Sequence, residues 1–362
     1  MLIRSLFITL VLGALAVSAG VRFALLLGLG LLIGYSLERF GFGFAGPWRR
    51  MILKREPDGL IAQLVAIGLA SVLIQPLIAS SDGLLGAIAP VSLTMIMGAA
   101  VFGFAMQIVL GCGSGTLVNA GTGNLVAMMT LPLFCVGSFV GSLLMPAAIA
   151  STPHLPVSLP EIFGVSGALA VTGAGLIGVG VLAARRGQGT LWNRRLLTAA
   201  VILAVLAGLH VLVAGQPWGV VYGLGLWAAK GAVWLGWNPE LSAFWSHPIN
   251  AAALSQSILT DTTSLTSLGL VGGAALAAWR VSTSQALVPG LAPWIFVIVA
   301  VAGFMLGVSS RLAFGCNVGG LFSGIASGSL HGWAWLVAGF IGSVYGVQAR
   351  EWLWKQASVV HA

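Results

Sequence analysis

The stretch Gly103-Phe-Ala-Met-Gln-Ile-Val-Leu-Gly-Cys-Gly-Ser-Gly-Thr-Leu117 decides the reading of this chain, because it occurs twice. Its echo is Gly307-Val-Ser-Ser-Arg-Leu-Ala-Phe-Gly-Cys-Asn-Val-Gly-Gly-Leu321. The shared positions are Gly103/Gly307, Gly111/Gly315, Cys112/Cys316, Gly115/Gly319 and Leu117/Leu321. Outward from this pair the echo continues. Gly137-Ser-Phe-Val-Gly-Ser142 matches Ala338-Gly-Phe-Ile-Gly-Ser343, and Ile67-Gly68-Leu69 faces Leu268-Gly269-Leu270. Each half therefore carries one Gly-Cys connector after a long apolar stretch. Many transporters are built from such duplicated halves, with the site where the halves meet at interrupted helices.

The rest of the composition places this repeat in a membrane. Of 362 residues, 58% are hydrophobic and 7% are charged, against about 25% charged in an ordinary soluble protein. Mean hydropathy is +1.03. So few charges cannot cover a soluble surface. This excludes a disordered chain, a nucleic-acid-binding domain and most cytosolic enzymes. The expected fold is an all-α polytopic membrane protein with about nine transmembrane helices plus short re-entrant helices, in two pseudo-symmetric repeats. Candidate stretches lie near 5–19, 23–37, 59–79, 92–110, 125–148, 163–184, 196–215, 262–279, 294–311 and 330–349; nine full spans are expected, with other short apolar pieces re-entrant or tilted. The first twenty residues also resemble a secretory signal (Arg4, an apolar run, then Ser18-Ala19-Gly20). A second apolar stretch follows at once, so a membrane helix is the preferred reading. Phe40–Trp48 is too apolar for a free loop and is expected to dip into the protein.

The chain divides into a first half over 1–160, a linking span and basic loop over 161–195, and a second half over 196–362. The connectors lie at 111–116 and 315–320. Four spans on each side of the linking span would invert the second half; five would leave the halves parallel. Net charge is +8. Its basic residues gather in two loops, Arg39 to Arg55 and Arg185 to Arg195, which the positive-inside rule places in the cytoplasm. Turns at 80–83 and 149–161, the latter with His154, then lie outside.

Broken backbone inside a membrane is tolerated only where protein or water satisfies it. Gly111, Gly113 and Gly115 permit such a turn on one side; on the other, after Gly315, Gly319-Gly320 and Gly324 play a similar part. A helix that restarts after the break presents unpaired N–H groups, a ready anion site. Ser114, Thr116, Asn119, Asn124, Asn317, Ser323 and Ser327 add hydroxyl or amide groups nearby. Arg311 is the charged residue nearest either connector, and Lys230 is placed to attract an anion at a mouth. The competing reading gives the glycines to helix packing, Lys230 to interfacial snorkelling and His210 and His331 to satisfied packing. Three cysteines are too few for a disulfide framework. Cys135 has no counterpart in the other half. A thiol is a weak donor and a polarizable acceptor, suited to soft sulfur or selenium. Heavy-metal transport is the rival use of paired thiols, and one Cys per half without His or Met partners makes a poor cage. No metal or cofactor is expected, and no ATPase signature is present.

Leu110-Gly-Cys-Gly-Ser-Gly115, Phe314-Gly-Cys-Asn-Val-Gly319, Gln216-Pro-Trp-Gly219 and Leu226-Trp-Ala-Ala-Lys230, within a duplicated architecture, resemble the YeeE/YedE sulfur transport family. The resemblance runs from about residue 20 to 350. It implies a bacterial inner-membrane permease, not an enzyme, that imports thiosulfate through an hourglass-shaped body. Cys112 and Cys316 match the family's pathway cysteines, which are thought to relay thiosulfate through S–H···S contacts. Members resembling YeeE often carry a further cysteine in an N-terminal loop, and Phe42-Gly-Phe-Ala-Gly-Pro47 has none. The YedE-like branch is associated with selenium compounds. The family is also linked to a small cytosolic sulfur carrier like TusA. Rival readings are a sulfurtransferase holding a cysteine persulfide and a passive channel.

Overall fold

The computed structural model describes residues 2–150, 156–279 and 293–359; the expected His154 turn falls in part outside them. The first half is α1 (Leu2–Ser18), α2 (Val21–Phe40), α3 (Ala45–Lys54), α4 (Asp58–Ala79), α5 (Leu93–Val109), α6 (Gly113–Gly121) and α7 (Leu125–Ala150). A long α8 (Leu159–Arg186) links it to α9 (Arg194–Ala214), α10 (Val221–Trp234), α11 (Pro248–Ser255), α12 (Thr262–Ala278) and α13 (Pro293–Leu312). A π-helical turn over Asn317–Phe322, α14 (Ser323–Ala326) and α15 (Leu330–Val359) complete the described chain. Among the described residues, eight helical runs are long and apolar enough to cross a membrane, beside two shorter apolar helices, Ile8–Ser18 and Thr262–Ala278. The protein is an all-α, multi-pass membrane protein.

Helix boundaries follow local chemistry. Ser92 accepts from the Met95 N–H to start α5, Asn193 caps α9, and Asp261 accepts from Ser264 N–H to start α12. Gly41 (φ 64°) and Gly215 (φ 78°) end α2 and α9 in the left-handed region. These two helices precede the two apolar segments that dip inward.

Contacts between loops fix the helix directions. The Arg195 guanidinium donates to the Arg39 carbonyl at 2.7 Å, and the Gln188 N–H donates to the Arg55 carbonyl at 2.6 Å. Both basic loops thus lie at one end of the bundle, hereafter the basic end. Arg49 and Glu351 pair there at 2.9 Å. At the opposite end, Arg22 on α2 donates to the Val213 and Ala214 carbonyls of α9 at 2.9 and 2.7 Å. So α2 runs towards the basic end and α9 away from it.

Glycine decides how the long helices meet. Gly30 and Gly34 of α2 abut Thr266 and Leu270 of α12, Gly103 of α5 abuts Gly339 of α15, and Gly137 of α7 abuts Phe304 of α13. Each pair takes one helix from each half, and side chains there would hold the backbones apart. Within each pair the helices run in the same direction: Gly342 and Gly346 of α15 meet Ala100 and Phe104 of α5. By contrast Gly98, at the start of α5, meets Leu312 and Ala313 at the end of α13. The two helices that carry the repeated motif therefore run in opposite directions, as an inverted repeat requires.

Positions on α2 offer a direct check. A methyl on Gly28 meets nothing within 4 Å, whereas one on Gly34 would overlap the Leu270 backbone. Gly28→Ala is expected to be neutral or slightly stabilising, since Ala is the better helix former. Gly34→Ala is expected to cost about 1–3 kcal/mol through overpacking. Thermal unfolding of the two variants in detergent reads the difference; equal midpoints would remove the packing argument.

Candidate functional site

The two connectors follow a similar backbone course. α5 is stopped by Leu110 at φ 57°, and α13 by Phe314 at φ 55°. These are uncommon conformations for residues with side chains, costing on the order of 1 kcal/mol each. The Gly111 N–H then donates to the Met106 carbonyl at 3.1 Å, and the Gly315 N–H to the Ser310 carbonyl at 2.8 Å. Cys112 (φ −82°, ψ −171°) and Cys316 (φ −83°, ψ −169°) adopt one extended geometry. Each carbonyl takes the first bond of a new helix, from Thr116 N–H at 2.8 Å and from Gly320 N–H at 2.7 Å. Gly315, at φ 147°, leaves no room for a Cβ against Gly320 N. The second restart is the wider π-helical turn, a form that recurs at functional sites.

The two thiols meet in the middle of the bundle. Cys112 is 1% exposed and Cys316 is fully buried. A Cβ on Gly113 would stand 3.0 Å from the Cys316 sulfur, and the two sulfurs lie within electrostatic reach of one another. The backbone N–H groups of Ser114 and Gly115 face the Cys112 sulfur. Those of Val318 and Gly319, and from the other half Gly113 and Ser114, face the Cys316 sulfur. No side chain closes a capping hydrogen bond at either restart. The positive ends of both short helices therefore converge on Cys316. The Ser114 hydroxyl lies 3.4 Å from the Cys112 sulfur.

Two cavities reach this centre from opposite ends. One, of about 190 Å³, is lined by Glu38, Phe42, Phe44, Cys112, Ser114 and Asn119 among others; it lies on the side of the basic end. The other, of about 310 Å³, is lined by Trp218, Tyr222, Thr263, Arg311, Gly315 and Gly319 among others. Cys316 lines neither. A larger apolar groove between α4 and α8 lies away from the connectors and carries none of this chemistry.

Two inward-dipping segments shape the cavities. The expected dip of the apolar Phe40–Trp48 loop is present: Phe42, Phe44 and Trp48 are buried. Its counterpart is Gln216-Pro-Trp-Gly219. Val220 would stand 3.0 Å from a Cβ on Gly113 and Gly219 3.9 Å from one on Gly319. Phe322 lies between the segments, its ring centroid 6.1 Å from Phe44 and 6.2 Å from Trp218.

Arg311 is held in the second cavity. Its Nε donates to Ser138 Oγ at 3.0 Å and its Nη2 to the Tyr222 carbonyl at 3.4 Å. The Tyr222 and Phe244 rings each lie 5.3 Å from its guanidinium carbon. Such clamping holds a charge at a fixed point in a dry site. Ser114, Thr116 and Asn317 are buried near the thiols. The Asn317 amide and the Trp218 Nε1–H have no partner among the described residues, and unpaired polar groups at membrane depth are costly.

Other expected residues go elsewhere. Lys230 lines neither cavity; its Nζ donates to the Leu254 carbonyl at 2.6 Å and to the Gln256 carbonyl. It ties down the end of α11, so its reach is spent on backbone. Asn124 accepts from the Ala127 N–H at the start of α7. Ser327 accepts from the Ala87 N–H. Cys135 is buried within α7. The sequence reading missed Glu38, Tyr222 and Ser138. Glu38 follows an apolar run and reads as a loop flank; Ser138 reads as one more small packing residue.

An all-helical membrane body with two opposed cavities, narrowing to buried thiols, defines a membrane transport protein. The chain belongs to the sulphur transport family, whose profile matches residues 39–345. It is 25% identical over 329 residues to the thiosulfate transporter TsuA of Spirochaeta thermophila, covering 84% of this chain and 92% of that protein. It is 34% identical over 95 residues to the probable transporter YedE of Escherichia coli, 26% of this chain and 23% of that protein. With the Salmonella typhimurium YedE it shares 28% identity over 151 residues, 41% of this chain and 36% of that protein. The match therefore spans about a quarter to a third of the YedE proteins. These relatives are named as a transporter and as probable transporters.

Placement predicts an order of thiol reactivity. In a Cys135→Ala background, a small neutral methanethiosulfonate is expected to modify Cys112, which lines a cavity, on the order of tenfold faster than Cys316. Peptide mass spectrometry reads the order, and the reverse order would contradict the sealed position of Cys316.

Proposed function

We propose that this protein imports thiosulfate, or a closely related sulfur anion, across a bacterial inner membrane. The observation that carries the reading is the pair of buried thiols between two opposed cavities, each at a helix start whose N–H groups face the sulfur. By the positive-inside rule the basic end is cytoplasmic. The anion then enters at the cavity holding Arg311, passes Cys316 and Cys112, and leaves past Ser114 and Asn119. Helix N-termini and a clamped cation lower the cost of a dianion in a low-dielectric site. A thiol offers a weak S–H donor and a soft acceptor to the terminal sulfur without forming a covalent bond. The named activity of TsuA supports thiosulfate as substrate. The halves over 1–160 and 196–362, joined by 161–195, form the inverted repeat of this reading. A small TusA-like carrier at the basic end is the partner that the family resemblance implies.

Burial argues against a persulfide-carrying sulfurtransferase. Such chemistry needs an accessible thiolate that a partner protein can reach, and neither thiol is more than 1% exposed.

Growth of a sulfur auxotroph on thiosulfate tests the reading. Cys112→Ala and Cys316→Ala are each expected to lower uptake by on the order of tenfold or more, a loss worth about 1.4 kcal/mol per factor of ten. Full growth of both at equal expression would refute the thiol relay. Intact labelled thiosulfate accumulating in liposomes separates transport from sulfur transfer.

The narrowest point gives a steric test. A side chain on Gly113 would press on Cys316 Sγ and Val220 at 3.0 Å, whereas one on Gly115 would lie 3.6 Å from Cys112 Sγ, an ordinary contact. Gly113→Val is expected to abolish uptake while the folded fraction in detergent stays near wild type. Gly115→Ala is expected to retain uptake within about threefold, the scatter of a packing change below 1 kcal/mol. Normal uptake by Gly113→Val would move the path away from the thiols.

A further inference from the structure

The backbone repeat is close to symmetric, but its charges are not. Gln107 and Arg311 occupy equivalent positions, each four residues before the connector glycine. They make equivalent contacts. The Gln107 Nε2 donates to the Ala45 carbonyl at 3.3 Å in the first turn of α3. The Arg311 Nη2 donates to the Tyr222 carbonyl at 3.4 Å in the first turn of α10. One position is a neutral amide whose Oε1 is buried without a partner, and the other is a clamped cation. The cavity linings repeat this difference. Arg311 is the charged residue lining the cavity at the opposite end, and Glu38 is the charged residue lining the cavity at the basic end.

We infer that Gln107 and Glu38 make the basic-end station a weak anion site, so that the carrier binds its substrate tightly from one face and releases it easily at the other. The inference rests on the anion-transport reading above. A dianion at the outer station meets a cation in a partly dry cavity. At the inner station the lining carboxylate of Glu38 stands against it, while Gln107, buried behind the lining, puts no cation where the other half has Arg311; like charge opposes binding. Arg195 acts on Glu38 from the rim of the basic end and lines neither cavity, so it tempers this repulsion without replacing it. The asymmetry does not by itself drive net import. In an uncoupled carrier, microscopic reversibility makes kcat/KM equal in the two directions. A low KM from outside is then matched by a lower maximal rate from that side. What the asymmetry supplies is release without trapping by substrate already inside.

The full chain in liposomes of known orientation tests this, with labelled thiosulfate presented to either face at zero membrane potential. The wild-type KM at the basic face is expected to exceed that at the opposite face by about tenfold or more. Glu38→Gln, an isosteric change at a half-buried site, and Gln107→Arg, which places a cation at the equivalent position, are each expected to shrink that ratio severalfold. Arg311→Gln is expected to shrink it from the other side. Equal KM values in the wild type, or an unchanged ratio in Glu38→Gln, would overturn the inference while leaving transport intact. Should Gln107→Arg not fold, Glu38→Gln carries the test. Absence of saturable thiosulfate flux in either direction would overturn the transport reading and the asymmetry with it.

Discussion

A chain that interrupts two helices inside a bilayer must satisfy the freed backbone within the protein. This constraint organises the structure. Each break bends at one left-handed residue, Leu110 or Phe314, and returns its next N–H groups to the helix it has just left. The first-turn N–H groups of the restarted helices have no such partner in their own helix. They are turned on the two sulfurs, and Gly113 and Ser114 of one half serve Cys316 of the other. Neither connector is complete alone, which is a physical reason for the halves to interlock rather than stack. Close approach is possible because glycine stands at nearly every crossing, and the same glycines fix the distance between the breaks.

Much of this was legible in the sequence. The Gly-Cys pair survives as a visible repeat because both halves solve the same backbone problem with the same residues. The dip of Phe40–Trp48 was legible because an apolar run between two charged flanks has nowhere else to go. The direction of the second half was not legible from the motif, which reads the same in a parallel or an inverted repeat. It emerges from contacts such as Gly98 against Ala313. Lys230 shows the opposite failure. A lone cation at the end of an apolar run looks like a substrate attractor, but its long stem lets it reach the carbonyls of residues 254 and 256. Arg311 has the same charge and lacks that option: Ser138, Tyr222 and Phe244 fix its direction. The sequence separates none of these partners from ordinary packing residues, because they come together only across α7, α10, α13 and the turn that precedes α11.

The chemistry of the centre is a division of labour between hard and soft groups. On the proposed reading, oxygen atoms of a sulfur oxyanion are matched by N–H donors and a guanidinium, which act through charge and dipole. A terminal sulfur is large, polarizable and a poor match for those donors. A thiol is the side chain that meets it on equal terms while remaining small enough for a passage in which even Gly113 cannot gain a methyl without pressing on Cys316. Serine at the same positions would preserve size but exchange a soft contact for a hard one. On the proposed reading, selectivity between sulfur and oxygen anions belongs to the thiols, and selectivity between charged and neutral species to Arg311 and the helix starts.

Symmetry of backbone and asymmetry of lining follow from different pressures. The breaks, the glycine crossings and the cysteines must match in both halves, because each half completes the other and a change in one strains both. Position 107 and its equivalent 311 carry no such obligation. Either can hold a neutral or a charged side chain so long as one N–H reaches the first turn of the neighbouring short helix, as the amide does to Ala45 and the guanidinium does to Tyr222. The fold thus leaves free the positions at which the proposed carrier differs between its faces. A strictly symmetric lining would bind a dianion equally from both sides, and product inside would occupy the carrier at the same concentration as substrate outside.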